Sequence, residues 1–169
     1  SWKTYWSIID RCNLILDKID NAEFTNEERR DYIKGEAYML RAYAYWSLGW
    51  QWGGVPLITK TTPLAEIRKI PRSTQEVTLG QAISDYKEAI RLLPEEWGTN
   101  DIGRATRYAA AGMLGRLYMF QNNFEDARTY LKMVVDQESV RYEMEKKYED
   151  CFIDSKDNGK ERVWEVQFI

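Results

Sequence analysis

Apolar residues recur along most of the chain at the three-and-four spacing of amphipathic helices, interrupted where turn-forming residues cluster. Over residues 2–20, Trp2, Tyr5, Trp6, Ile9, Leu16 and Ile19 share one helical face, and the pattern breaks at Asn21. Thr25-x-x-Glu28 reads as a capping box that opens a helix running to about Gln51, roughly 40 Å at 1.5 Å per residue. Two apolar stripes follow this helix: Ile33, Ala37, Leu40, Ala44 and Leu48 on one side, Tyr38, Tyr45 and Trp52 on another. A helix apolar on two sides packs between two neighbours. Trp46 and Trp52 are therefore expected in the core, and Gly35 and Gly49 at close helix contacts.

Gly53-Gly54-Val55-Pro56 stops the helix, since glycine tolerates positive φ and proline prevents resumption. The segment to Pro71 reads as loop, and Ser73-x-x-Glu76 as a second capping box opening a helix that ends at Pro94. Residues 95–103 form a polar loop holding one large apolar side chain, Trp97. Near the end, the pattern expects a short helix over 145–153, a charged turn over 154–160 and a strand over 162–169 with Trp164, Val166 and Phe168 on one face. A single strand is not stable alone, and the chain begins without Met, inside a helix. The chain therefore reads as a fragment, with the strand leading into a missing region.

The densest pattern lies in residues 108–137, YAAAGMLGRLYMFQNNFEDARTYLKMVVDQ. Leu114, Gly115 and Tyr118, followed by Ala127, Leu131 and Val134, have the spacing of a tetratricopeptide (TPR) helix pair, in which a small residue admits the neighbouring helix. Glycine inside a helix costs roughly 1 kcal/mol relative to alanine, which a close contact at Gly115 would explain. Asn122-Asn123 makes the turn, with Asn123 capping the second helix and Asp126 in its first turn. A second match is split: Tyr45, Leu48, Gly49 and Trp52 fit the first helix of a pair, and Ala82, Tyr86, Ala89 and Pro94 the second. Tyr118 and Ala127 are 9 positions apart but Trp52 and Ala82 are 30 apart, so the upstream pair carries about 21 additional residues at its tip. The repeats are placed at about 32–94, interrupted by 53–72, and at 105–137. The fold class is mainly α: TPR-like antiparallel helix pairs in an α-solenoid, with a long inter-helix insertion and a short C-terminal strand. The insertion has three prolines and the apolar residues Val55, Leu57, Ile58, Leu64, Ile67 and Ile70. It reads either as an ordered loop meeting a partner or as one folded back on its own hairpin.

Length and charge narrow the picture further. A chain of 169 residues has room for one sizeable core and is expected to form one compact unit. A net charge of -3 with mixed signs argues against nucleic acid. No apolar run is long enough to span a bilayer. Cys12 and Cys151 have no metal or redox spacing and read as buried free thiols. Histidine is absent, which removes the commonest general base and metal ligand; no catalytic residue, metal site or cofactor is assigned. The acidic pairs Glu95/Glu96 and Asp154/Asp157 are sequence neighbours, whereas glycoside hydrolysis needs carboxylates facing each other across the substrate. Seven Trp and eleven Tyr suit carbohydrate-binding surfaces and solenoid cores alike. Trp50, beside the Gly49 contact and directed outward, and Trp97 are the candidate ligand-binding residues; each either stacks on a sugar or tucks against the helices.

Several stretches in succession resemble the SusD/RagB-like proteins: WKTYWSIIDRCNLILDKID, EAYMLRAYAYWSLGWQWGGVPLI, IPRSTQEVTLGQAISDYKEAIRLLP, GRATRYAAAGMLGRLYMFQNNFEDARTYLKMVV and ERVWEVQF. The resemblance covers nearly the whole chain. Two departures stand out: Trp50 where the family often has a polar or basic residue, and Gly49 where a larger one is common. The resemblance implies a non-catalytic, surface-exposed, lipid-anchored outer-membrane protein of Bacteroidetes-type bacteria. Such a protein captures glycans or other nutrients with a SusC-like TonB-dependent transporter as partner. The lipidated cysteine would lie upstream, since neither Cys12 nor Cys151 has a lipobox context. The glycan-contacting aromatics of the family sit mainly in loops outside this stretch, so the fragment is expected to supply scaffold and transporter contact. The alternative is a generic TPR scaffold for protein–protein interaction, which has no need of the insertion or of the GGVP and GRAT stretches. A glycosidase would require a convergent carboxylate pair.

Overall fold

Glycine and alanine at the helix contacts set how closely the helices pack. In the computed structural model, which describes residues 1–153 and 158–165, the helices are α1 (Trp2–Lys18), α2 (Glu27–Trp52), α3 (Leu64–Ile67), α4 (Gln75–Leu92), α5 (Arg107–Phe120) and α6 (Phe124–Val135). The chain forms two compact units, Ser1–Leu93 and Pro94–Ile169, where length alone suggested one. The division falls where α4 gives way to an extended Leu93 (ψ 149°), the conformation that a following proline imposes.

In the first unit α2 packs between α1 and α4, as its two apolar sides require. Ala37, Ala42, Ala44, Tyr45 and Leu48 are buried. A Cβ added at Gly49 would stand 2.7 Å from Leu79 Cδ2, so the absence of a side chain is what lets α4 approach. Two stripe assignments are corrected. Leu40 is 41% exposed, and its neighbours Met39 and Arg41 take the buried positions. Trp52 is 37% exposed: it stands in the last turn of α2, edge-on to Trp2 at 5.2 Å and Tyr5 at 6.2 Å, at the rim of the aromatic cluster. Trp46 is in the core as expected.

Both upstream capping boxes shift by one residue. Asn26, not Thr25, caps α2, its side-chain oxygen accepting from Glu28 N at 2.8 Å. Thr74, not Ser73, caps α4, accepting from Val77 N at 3.2 Å. Ser73 is held back because its amide donates to Val55 O at 3.2 Å, tying it to the connection it closes.

That connection runs from Gly53 (φ 76°) to Thr74 and contains the one-turn helix α3, which the sequence pattern leaves as loop. Helix side chains hold it. Arg41 donates to Thr59 O (2.9 Å), to Asn13 Oδ1 (2.8 Å) and through two nitrogens to the Asp85 carboxylate (2.8 Å each). Asn13 donates to Ile58 O (2.7 Å), and Tyr45 both donates to Ile58 O (2.9 Å) and accepts from Ile58 N (2.8 Å). Burial pushes the Tyr45 hydroxyl up to about 12, so it remains a donor. Burial also raises the Asp85 carboxyl, against the opposing pull of Arg41.

The second unit is built on the α5–α6 pair. A Cβ at Gly115 would lie 2.6 Å from Leu131 Cγ, and Tyr118 stacks on Tyr130 with ring centres 5.7 Å apart. Asn122 turns the chain at φ 58°, and Asn123 caps α6 by accepting from Asp126 N at 3.3 Å. The helix expected over 145–153 is only a 3₁₀ turn, Tyr148–Phe152. The expected strand is not formed in residues 162–165; residues 166–169, and residues 154–157 of the charged turn, lie outside the described residues. Cys12 is buried and free, its thiol pushed up to about 11 by burial. Cys151 is free but only half-buried, because its turn lies near the surface. Among the described residues no helix is long and apolar enough to cross a membrane.

Candidate functional site

An open cleft of about 340 Å³ lies within the second unit, in the size range of small-ligand sites. Three segments build it. The first precedes α5: Trp97 donates its indole N–H to Ala105 O at 2.7 Å, Arg104 lies 4.4 Å over the same ring, and Asp101 holds Arg104 at 2.7 Å. Thr106 then caps α5, accepting from Ala109 N at 3.2 Å. Trp97 is thus half-buried, anchored at its nitrogen and covered on one side, but still part of the cleft lining.

The second segment follows α6. Ser139, at φ 63°, donates its amide to Tyr142 O at 2.8 Å and turns Val140, Arg141 and Tyr142 into the cleft. Arg141 reaches Glu95 Oε2 at 2.7 Å and also pairs with Glu96. The Tyr108 hydroxyl and then Glu95 hold its guanidinium above its ordinary range. Burial pushes the Tyr142 hydroxyl up, with Thr106 opposing, so it stays protonated at neutral pH. The third segment is 158–165, where Arg162 donates to Glu165 Oε2 and to Cys151 O, both at 2.7 Å, and Trp164 joins the lining.

The cleft combines aromatic rings with guanidinium–carboxylate pairs, so it offers flat apolar faces together with directed donors and acceptors. Of the two candidate ligand-binding residues, Trp97 is part of it. Trp50 is not: it stands 55% exposed on α2 in the first unit. Nothing in the sequence marks Arg141, Tyr142, Arg162 and Trp164 as site residues, because no motif links turns some 45 positions apart. Only their type, long polar or aromatic residues between helices, hints at the role. Glu95 and Glu96 both face Arg141 rather than each other across a gap; Asp154 and Asp157 lie outside the described residues. Among the described residues, no group of three or more His, Cys, Asp or Glu is placed to hold a metal ion.

The first unit has a different kind of recess, about 410 Å³, lined by Trp2, Trp6, Ile9, Asp10, Pro56, Ile58 and Ile67. Its walls are α1 and the connection between α2 and α4, and they are almost entirely apolar.

Comparison with known proteins places this architecture. A SusD-like family model, described as starch-binding and associating with the outer membrane, matches residues 1–119. SusD-like protein P25 of Formosa agariphila is 27% identical over 168 residues, covering 99% of this chain and 32% of that protein. A solved SusD-like protein from Bacteroides fragilis superposes with a TM-score of 0.91 at 26% identity, covering 99% of this chain and 33% of that one. A SusD-like carbohydrate-binding protein from Bacteroides vulgatus superposes with a TM-score of 0.79 at 26% identity, over 96% of this chain and 36% of that one. The chain spans about a third of the length of the curated relatives it matches.

Proposed function

The chain belongs to the SusD-like family, and on that premise we propose that it is part of a non-catalytic protein that captures glycans at the outer-membrane surface. The observation that carries this reading is the cleft of the second unit. Trp97, Tyr142 and Trp164 supply faces for the C–H surface of a sugar ring, while Arg141 with Glu95 and Glu96, and Arg162 with Glu165, supply donors and acceptors for its hydroxyls. Its acidic residues are held by arginine, an arrangement suited to binding and not to the acid–base pairing of hydrolysis.

The test is titration of the full-length protein with oligosaccharides, monitored by calorimetry. Trp164→Ala is expected to weaken glycan affinity about tenfold or more, as removal of an aromatic anchor does; Trp97→Phe keeps a ring but loses the indole donor and is expected to do less. Affinity unchanged in both variants would exclude the cleft as the glycan site.

A second role is supported by the first unit. The ordered connection and the apolar recess beside it are suited to a protein partner, and we propose that a SusC-like TonB-dependent transporter meets this face. The anchor to the membrane would be an N-terminal lipid outside this chain. Replacing residues 59–69 with a short Gly/Ser linker should then reduce co-purification of the transporter from membranes. Unchanged recovery, with unchanged thermal stability, would leave the insertion without that role.

A further inference from the structure

Each arginine lining the cleft is paired with a carboxylate of the protein. We propose that the site selects uncharged glycans and rejects uronate- or sulfate-bearing ones, an inference that rests on reading the cleft as the glycan site. Arg141 lies 2.7 Å from Glu95 and also pairs with Glu96; Arg107 lies 3.6 Å from Glu95. Arg104 is 2.7 Å from Asp101, and Arg162 is 2.7 Å from Glu165. Among the described lining residues, the three arginines Arg104, Arg141 and Arg162 therefore each have a carboxylate within salt-bridge distance.

An anionic sugar meets this arrangement at a disadvantage. To bind a guanidinium through its own carboxylate or sulfate it must either displace the resident carboxylate, leaving that acid unpaired beside the incoming negative charge, or share the guanidinium with it at like-charge contact. That cost falls only on charged ligands. A neutral sugar brings no charge that competes for these pairs: its hydroxyls can donate to a carboxylate or accept from a guanidinium while the pair stays together. Ile102 and Val140, 57% and 68% exposed in the lining, add apolar surface that favours uncharged C–H faces over a hydrated anion. Specificity here comes from cations already committed to the protein's own acids.

The experiment removes the resident acids. The full-length protein, its Glu95→Gln/Glu96→Gln variant and its Glu165→Gln variant are titrated with neutral gluco-oligosaccharides and with oligogalacturonates, at low and high salt. The unmodified protein is expected to show no cleft-dependent uronate binding. Each variant is expected to gain uronate affinity by about tenfold, the scale of a hydrogen bond to a charged group, and to lose that gain in high salt. A thermal melt checks that each variant is folded, and the two variants alter different segments, so one folding defect leaves the other readable. Absence of any gain in folded variants overturns the inference. Uronate binding by the unmodified protein that Trp164→Ala abolishes also overturns it, while leaving the glycan-site reading intact. Glycan binding indifferent to Trp164→Ala and Trp97→Phe defeats that reading, and the inference with it.

Discussion

The α2–α4 and α5–α6 pairs close on the same contact with different connectors. In each, a glycine on the first helix admits a leucine from the second, Leu79 at Gly49 and Leu131 at Gly115. The second pair is joined by a tight turn at Gln121, Asn122 and Asn123. The first is joined by the connection over residues 53–74, held by a buried polar network centred on Arg41. The helix contact therefore does not depend on the connector. What a long connector needs is side chains on the helices to satisfy its carbonyls, because backbone polar groups brought out of water must be paired. Arg41, Asn13 and Tyr45 do this for Ile58, Thr59 and Lys60.

The largest expected effect separates the two pairs most sharply. Arg41 and Asp85 are 5% and 2% exposed, so Arg41→Ala strands a buried carboxylate and is expected to cost about 3–5 kcal/mol, read from the shift in denaturant midpoint. Arg41→Met with Asp85→Leu removes both charges and should restore most of the stability while still leaving Thr59 O without its donor. Limited proteolysis should then cut within residues 53–74 in the double variant and spare the α5–α6 turn. Protection equal to that of the unmodified protein would mean the network does not order the connection.

Overpacking tests the shared part of the comparison. Gly115→Leu and Gly49→Leu are each expected to destabilise by about 1–3 kcal/mol. Leu131→Ala in the Gly115→Leu background should recover part of the loss, since Leu131 is the group a new side chain meets. Denaturant melts in which Gly115→Leu is as stable as the parent would refute the close contact.

The smallest effect concerns the tight turn alone. Asn123→Ala removes the cap of α6 and is expected to lower stability by about 1 kcal/mol, seen as a lower Tm. An unaltered Tm would show that the turn closes without its cap.

Much of the helical framework was legible because it depends on local rules. The spacing of Leu114, Gly115, Tyr118, Ala127 and Leu131 reports a helix pair, Asn123 reports its cap, and Gly53 with Pro56 reports the stop of α2, since each follows from backbone geometry within a few residues. The caps at Asn26 and Thr74 fall one position from the expected ones because adjacent capping side chains, Thr25 and Asn26 or Ser73 and Thr74, compete for the same amides, and a tertiary bond from Ser73 to Val55 decides one of the contests. Trp97 could be noticed as a large apolar residue in a polar loop. Its partners in the cleft could not.

The sequence by itself determined the mainly helical class, the interruption after Trp52 and the resemblance to SusD-like proteins, all readable from periodicity, turn residues and the order of short stretches. Only the tertiary structure decided that Arg41 is a buried hub rather than a solvated charge, that Trp52 stands at a rim, and that Arg141 meets Glu95 and Glu96. The reason is that a charged or aromatic residue has no single environment written in its own identity: burial and pairing are settled by residues tens of positions away, and nothing in local spacing encodes them.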